Sequence, residues 1–260
     1  MQSMKLNNSD IHLWYMDQAD FDLAELRGNC LDWLTELELA RYQRYQFDRH
    51  RKQLLLGRIL IRSVLSQYDQ SIEPASWRFS QNDYGKPAIH SEQQRLPLFF
   101  NLSHSDDKLV LAVASFENIG VDIEHCGKQR RIGKISGRYF SAREATELLA
   151  VPEQSRLQRF YELWTLKEAY IKACGEGLAI SLQQFSYSFP STEKLAIEFD
   201  PAREDDPGCW QLWQLDAGEK FKLALAARVE EGAEIQNLSS WQMTGLDEFQ
   251  AGHSVIVRRS

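Results

Sequence analysis

The sequence predicts an α+β fold: a pseudodimer of two similar lobes built on antiparallel sheets. Strand-like and helix-like stretches fall in separate blocks instead of alternating, which argues against a doubly wound parallel sheet. A helices-then-strands order occurs once on each side of about residue 115, although no convincing sequence repeat accompanies it. With 43% hydrophobic residues, the 260 positions can fill one large core or two small ones. The expected division is an N-terminal lobe over 1–115 and a C-terminal lobe over 116–230. Residues 231–260 carry little pattern and read as an extension of unknown role, a tail or a lid.

Ile11 to Met16 reads as a first strand. Leu31 to Leu39 and Ala40 to Tyr68 read as helices, the second with Leu54, Leu55, Ile59, Leu60, Val64 and Leu65 at helical spacing. Asn82 to Pro87 is a turn by composition. Leu98 to Leu102, Leu109 to Ala114 and Gly120 to Glu124 are strands. Helices follow over Ser141 to Ala150, where Ser141 and Glu144 have capping-box spacing, and over Arg156 to Cys174, stopped by Gly175. Four strands come next: Phe185 to Phe189, Leu195 to Phe199, Trp210 to Leu215 and Phe221 to Arg228. A hairpin turn at Asp216-Ala217-Gly218-Glu219 joins the last two.

No apolar run approaches the ~20 residues of a membrane span, and residues 1–10 lack the apolar stretch of a signal peptide. Cys30, Cys126, Cys174 and Cys209 are scattered without metal-ligand spacing, as expected of free thiols in a reducing cytoplasm. A net charge of −7 argues against generic nucleic-acid binding. Two windows run against that balance. Arg41 to Arg62 holds seven Lys/Arg and one acid, and His125 to Arg143 holds six and none. Either they are solvated helix faces, or one holds phosphates and the other meets an acidic partner.

Two acidic clusters suggest chemistry. Alternation puts Asp122 and Glu124 on one strand face, expected to be exposed, with Val121 and Ile123 on the other. On the later helix, Glu168 stands one turn after Trp164 and one turn before Lys172. Three carboxylates with lysines describe a magnesium site for a phosphate-bearing substrate, since Mg²⁺ prefers oxygen ligands and leaves positions for phosphate. Taken singly, the strand pair also reads as a solvated face, Glu168 with Lys172 as a surface i,i+4 pair, and Trp164 as core.

Together these words resemble the Sfp-type 4′-phosphopantetheinyl transferases. The matching segments are Tyr84-Gly85-Lys86-Pro87, Phe100 to Ser105, Gly120 to Glu124, Arg138-Tyr139-Phe140-Ser141 with Glu144, and Trp164 to Ala169 with Lys172. They stand in the family's order across about residues 40 to 230. The resemblance implies transfer of the 4′-phosphopantetheine arm of coenzyme A to a serine of an acyl or peptidyl carrier protein, in a cleft between the lobes. It implies Asp122, Glu124 and Glu168 as Mg²⁺ ligands, with the metal also holding the pyrophosphate. Gly85, Lys86 and Pro87 would line the adenine pocket, Ser103 and His104 would bind the 3′-phosphate, and Lys172 the pyrophosphate. The basic residue that the family places before Leu55-Leu56-Gly57 is Gln53 here, so Arg51 or Lys52 is expected to substitute.

Glu168 is the expected general base, and Lys167 or Lys172 the donor to the leaving 3′,5′-ADP. The basic run at Arg130, Arg131, Lys134 and Arg138, with Tyr139 or Phe140, is the expected docking surface for an acidic carrier. The internal duplication favours a monomer. The competing readings are a metal-dependent exonuclease built on the Asp-x-Glu strand and a non-catalytic carrier-binding scaffold.

Overall fold

Two halves repeat one plan in this computed structural model, which describes residues 3–127 and 131–260. The first half runs β1 (Asp10–Asp17), α1 (Leu23–Cys30), α2 (Glu36–Arg44), α3 (Asp48–Tyr68), a ribbon of β2 (Phe79–Gln81) and β3 (Pro87–Ile89), then β4 (Phe99–Ser105) and β5 (Lys108–Ala114). The second runs β6 (Ile119–His125), α4 (Ile132–Tyr139), α5 (Ala142–Ala150), α6 (Glu153–Cys174), a ribbon of β7 (Phe185–Ser188) and β8 (Ala196–Phe199), then β9 (Trp210–Leu215) and β10 (Phe221–Arg228). Each half contributes three long strands in the same order, β1-β5-β4 and β6-β10-β9.

The two sheets fold onto each other around an apolar layer. Ile11, Leu13, Val110 and Ala112 supply one side of it, and Val121, Ile123, Trp213 and Leu225 the other. Helix α3 covers the outer face of the first sheet through Leu55, Leu56, Ile59 and Leu60. Helix α6 covers the outer face of the second through Leu166, Ala169, Tyr170 and Ala173. The order of layers is therefore helix, sheet, sheet, helix.

The sheets also join along β4 and β6, through side chains. Asn101, Ser103 and Ser105 alternate on β4, and their oxygens accept from the backbone N–H groups of Val121 (2.9 Å), Ile123 (3.2 Å) and His125 (2.9 Å). Period-2 alternation thus gives the β6 edge a substitute for a ladder and satisfies donors that would otherwise be buried without partners.

Three expectations change. Residues 231–260 are not patternless: β11 (Asn237–Gly245) and β12 (Glu248–Gly252) extend the first sheet, and β13 (Ile256–Arg259) adds to β9 of the second. The sheets are not wholly antiparallel, because β11 lies parallel to β1. The long predicted helix over 40–68 is two, interrupted at Tyr45–Phe47, since α2 folds back on α3. Glu38 draws it there, pairing with Arg58 (2.6 Å) and Arg62 (2.8 Å) while completing a capping box with Thr35. The Thr35-x-x-Glu38 spacing was the available signal for that start.

Candidate active site

Gly120 sets how closely α6 approaches β6. A Cβ there would stand 2.1 Å from the Ala169 carbonyl oxygen and 2.4 Å from the Ala173 nitrogen, so only glycine permits the contact. Ala169 and Ala173 are the small residues opposite it. The side chains on either side, Glu168 and Lys172 of α6 and Asp122 and Glu124 of β6, meet as a result. On β10, Ala224 lies across from Asp122 and leaves room for the carboxylate.

Asp122 is buried, at 5% exposure, and not on the solvated strand face expected. Its Oδ1 accepts from Lys172 Nζ (2.7 Å) and Ser103 Oγ (2.9 Å), while Lys172 also reaches Ser103 Oγ (2.9 Å). Its Oδ2 is buried with no protein donor. Glu124 accepts from Ser105 Oγ at 3.2 Å. Burial, and then the charges of Asp122 and Glu124, push the half-buried Glu168 carboxyl up to about 7, against the pull of Lys172. Glu168 is therefore in electrostatic contact with Asp122, Glu124 and the Lys172 ammonium. Among the described residues, no three His, Cys, Asp or Glu groups stand together in ligating geometry.

Several expected site residues have other positions. Lys167 does not reach the cleft: its fully buried ammonium donates to the carbonyls of Leu182 and Phe185 (both 2.7 Å) and pairs with Glu144 at 2.9 Å. Burial lowers its pKa to about 8, with Glu144 opposing. Glu144, beyond its capping box with Ser141, is thus a buried counter-ion. Ser103 is 4% exposed, with its hydroxyl committed to Asp122, Lys172 and the Ile123 N–H, so it shapes the carboxylate instead of facing solvent. His104, on the opposite side of β4, is exposed.

Gly85 takes a left-handed φ of +87° in the turn before Pro87. The Lys86 ammonium donates to the carbonyls of Ala173 (2.9 Å) and Glu117 (3.1 Å), fastening this turn to the end of α6. Arg51 pairs with Asp48 at 2.9 Å, and Lys52 has no ionic partner among the described residues. Arg131, at the N-cap of α4, and Lys134 and Arg138 on it are exposed, whereas Arg130 lies outside the described residues. Phe140 is core, stacked on Phe160, and is withdrawn from the expected docking surface. Trp164 packs on Phe160 and Tyr139. Sequence reasoning missed Asn101 and Ser105; the Asn-x-Ser-x-Ser alternation was their signal.

Residues 118–226 match the 4′-phosphopantetheinyl transferase superfamily, and residues 24–116 match the family described as 4′-phosphopantetheinyl transferase, N-terminal. The 4′-phosphopantetheinyl transferase HetI of Nostoc sp. (strain PCC 7120 / SAG 25.82 / UTEX 2576) is 31% identical over 226 residues, covering 86% of this chain and 90% of its own. The 4′-phosphopantetheinyl transferase Sfp of Bacillus subtilis (strain 168) is 35% identical over 192 residues, covering 73% and 79%. The chain belongs to the 4′-phosphopantetheinyl transferase superfamily and is an enzyme of that kind. The exonuclease and scaffold readings give way to it. No helix among the described residues is long and apolar enough to cross a membrane.

Proposed function

We propose that this enzyme moves the 4′-phosphopantetheine arm of coenzyme A onto a serine hydroxyl of an apo carrier protein, with Mg²⁺, and releases 3′,5′-ADP. The observation that carries the reading is the meeting of Asp122, Glu124, Glu168 and Lys172 across the Gly120 contact. The donor set fits a hard cation. Asp122 Oδ2 is buried and unpartnered, and burial, followed by the charges of Asp122 and Glu124, raises the Glu168 pKa, a charge penalty that a divalent ion would relieve. Bound there, Mg²⁺ would neutralise pyrophosphate oxygens.

The chain's own residues then divide the work. Asp122, Glu124 and Glu168 would hold the metal. Lys172, anchored by Asp122 and Ser103, would meet the pyrophosphate and offer protons or hydrogen bonds to the departing phosphate. Glu168, one of these carboxylates, would also serve as the base that takes the serine proton. The bond that forms joins serine oxygen to the phosphorus carrying the pantetheine; the bond that breaks releases 3′,5′-ADP. The Gly85-Lys86-Pro87 turn would flank the adenine and His104 the 3′-phosphate.

Intact-mass measurement tests this directly. An apo carrier incubated with the enzyme, coenzyme A and Mg²⁺ should gain one phosphopantetheine, and an unchanged mass for every carrier class would count against it. The exposed cations Arg131, Lys134 and Arg138 support α4 as the docking face for an acidic carrier. Reversing Arg131 and Arg138 to Glu should raise KM for the carrier and leave KM for coenzyme A unchanged. A carrier KM that stays put at low salt would place docking elsewhere.

A further inference from the structure

One buried carboxylate takes no part in the site described above. Glu162, on α6, is 6% exposed, and its partners come from each strand of the second sheet beyond β6. We propose that Glu162 and Arg258 are positioning residues: they clamp α6 to the C-terminal strand β13, so that Glu168 and Lys172 keep their place against Asp122 and Glu124. The inference rests on the transferase reading above and deepens it.

Three cations from three elements meet the Glu162 carboxylate: Arg159 of α6 at 3.2 Å, Arg258 of β13 at 3.7 Å and Lys222 of β10 at 3.8 Å. Gln214 of β9 completes the clamp. Its Oε1 accepts from Arg258 Nη1 at 2.6 Å, and its Nε2 donates to the Glu162 backbone carbonyl at 3.1 Å. The Phe189 ring backs both guanidinium groups, 4.2 Å from Arg159 and 5.0 Å from Arg258, which limits their swing. Lys222 stands opposite Glu124 in the β10–β6 register, so the clamp lies one strand away from the carboxylate site.

The spacing along α6 shows what the clamp adds. Glu162 precedes Ala169 by seven residues, close to two turns, so both lie on one face of the helix about 10 Å apart. The Gly120 contact at Ala169 is close, but by itself it is a pivot about which α6 can rock. Glu162 supplies a second point of attachment. Holding the helix down does not require charge, because apolar residues of similar volume in place of a buried ion network are often neutral or stabilising. What hydrogen-bonded charges add is direction: the guanidinium fork and the Gln214 amide favour one placement of the helix. Glu168 and Lys172 follow Glu162 by six and ten residues on the same rigid element, so a shift at Glu162 reaches both.

Three variants separate positioning from packing: Arg258→Ala, Arg258→Lys and the double variant Glu162→Met with Arg258→Met. Each is read by its urea midpoint, by calorimetric titration of Mg²⁺ in the presence of coenzyme A, and by kcat on an apo carrier at saturating Mg²⁺. Arg258→Ala should lower kcat about 10- to 100-fold, the cost of a small displacement of reacting groups. It should also weaken Mg²⁺ about 10-fold and leave KM for the carrier unchanged. Arg258→Lys should recover part of kcat, since an ammonium keeps the charge and loses the fork. The double variant should regain the parental urea midpoint and still turn over slowly, because it restores packing without direction. Arg159 and Lys222, 31% and 22% exposed, can then turn to water, so it reads the proposal even where Arg258→Ala unfolds. A double variant with parental kcat and Mg²⁺ affinity, or an Arg258→Ala that loses only stability, would reduce the clamp to packing and overturn the assignment. If the unsubstituted enzyme adds no mass to any carrier, the transferase reading itself falls, a result unlike any difference among the variants.

Discussion

The duplicated plan gives the molecule two potential seams between its halves, and they have different fates. Along one, β4 meets β6 through Asn101, Ser103 and Ser105, and the outward face of β6 carries Gly120, Asp122 and Glu124 beside α6. At the other, where the repeated plan would set β9 against β1, the C-terminal strands intervene: β11 pairs with β1 and β13 with β9. The outward face of β1 there carries His12, Trp14 and Met16, and Trp14 stacks on Trp241 of β11 at 4.8 Å. One seam is joined by polar side chains, the other is apolar and filled by three added strands. On the proposed function, a pseudodimer thus keeps one catalytic cleft because one seam gives up packing for charge and the other is filled.

The largest test of that contrast is Asp122→Ala. Transfer should fall on the order of 10³-fold or more, since the change removes the carboxylate that anchors Lys172 and that the proposed function assigns to the metal. Because Asp122 is buried, some loss of stability accompanies it. Lys172 is 27% exposed, however, and can turn to water, so the protein should remain folded by circular dichroism. A folded variant with the parental rate would take the chemistry away from this seam.

Lys167 tests whether charge on α6 always means catalysis. It stands five residues before Lys172, yet it is sealed against Glu144 while Lys172 borders the cleft. Removing one partner of a buried pair costs about 3–5 kcal/mol, because the other charge is left uncompensated. Lys167→Met should lose about that much by urea unfolding, and adding Glu144→Gln should restore part of it. The kcat of the folded fraction should stay close to the parental value. A kcat collapse without loss of stability would return Lys167 to the reaction.

This pair also shows where sequence reasoning stops. The four-residue step from Glu168 to Lys172, the Asp-x-Glu alternation and the stop at Gly175 are local patterns, and the chain prints them in full. Lys167 sits inside the same word, and a lysine reads as surface unless its partner, 23 residues earlier in the sequence, is known. Ser103 reads as a donor for ligand because its actual acceptor, Asp122, belongs to another sheet. The C-terminal strands were hidden for a different reason. Most of β12 and β13 is exposed, so no hydrophobic alternation marks them, and β11 finds its partner β1 at the other end of the chain.

The halves differ in how they keep a buried ionisable group. The C-terminal half pairs Lys167 with Glu144; the N-terminal half holds His12 neutral, sharing a 2.7 Å hydrogen bond with the Tyr68 hydroxyl. Burial depresses the His12 pKa from its usual 6.5 to about 4, with the Asp10 charge opposing the shift. A base whose folded pKa is depressed contributes stability that is present above the unfolded value and lost as pH falls through the folded one. Between pH 6.5 and 4 the contribution lost should amount to about 3 kcal/mol. Urea midpoints across that range should drop more steeply for the parent than for His12→Gln. Parallel curves would mean that the closed seam is not the acid-sensitive one.

The smallest expected effect is also the sharpest comparison, because each half has a glycine where its long helix meets its sheet. At Gly120 an added Cβ would collide with α6 backbone at 2.1 and 2.4 Å, which no side-chain rotation relieves. Gly120→Ala should cost about 1–3 kcal/mol through overpacking and also lower transfer, since α6 carries Glu168 and Lys172. At Gly57 the nearest atoms are Leu102 Cδ2 at 3.1 Å and Leu109 Cδ2 at 3.9 Å, the ends of flexible side chains that can yield by a few tenths of an ångström. Replacing a helix-interior glycine by alanine gains about 1 kcal/mol of backbone entropy, which offsets that adjustment. Gly57→Ala should therefore leave the urea midpoint nearly where it was and the transfer rate unchanged. If it damages the protein as much as Gly120→Ala does, the close helix–sheet contact is a general need of the duplicated plan and not a feature of the seam that holds the carboxylates.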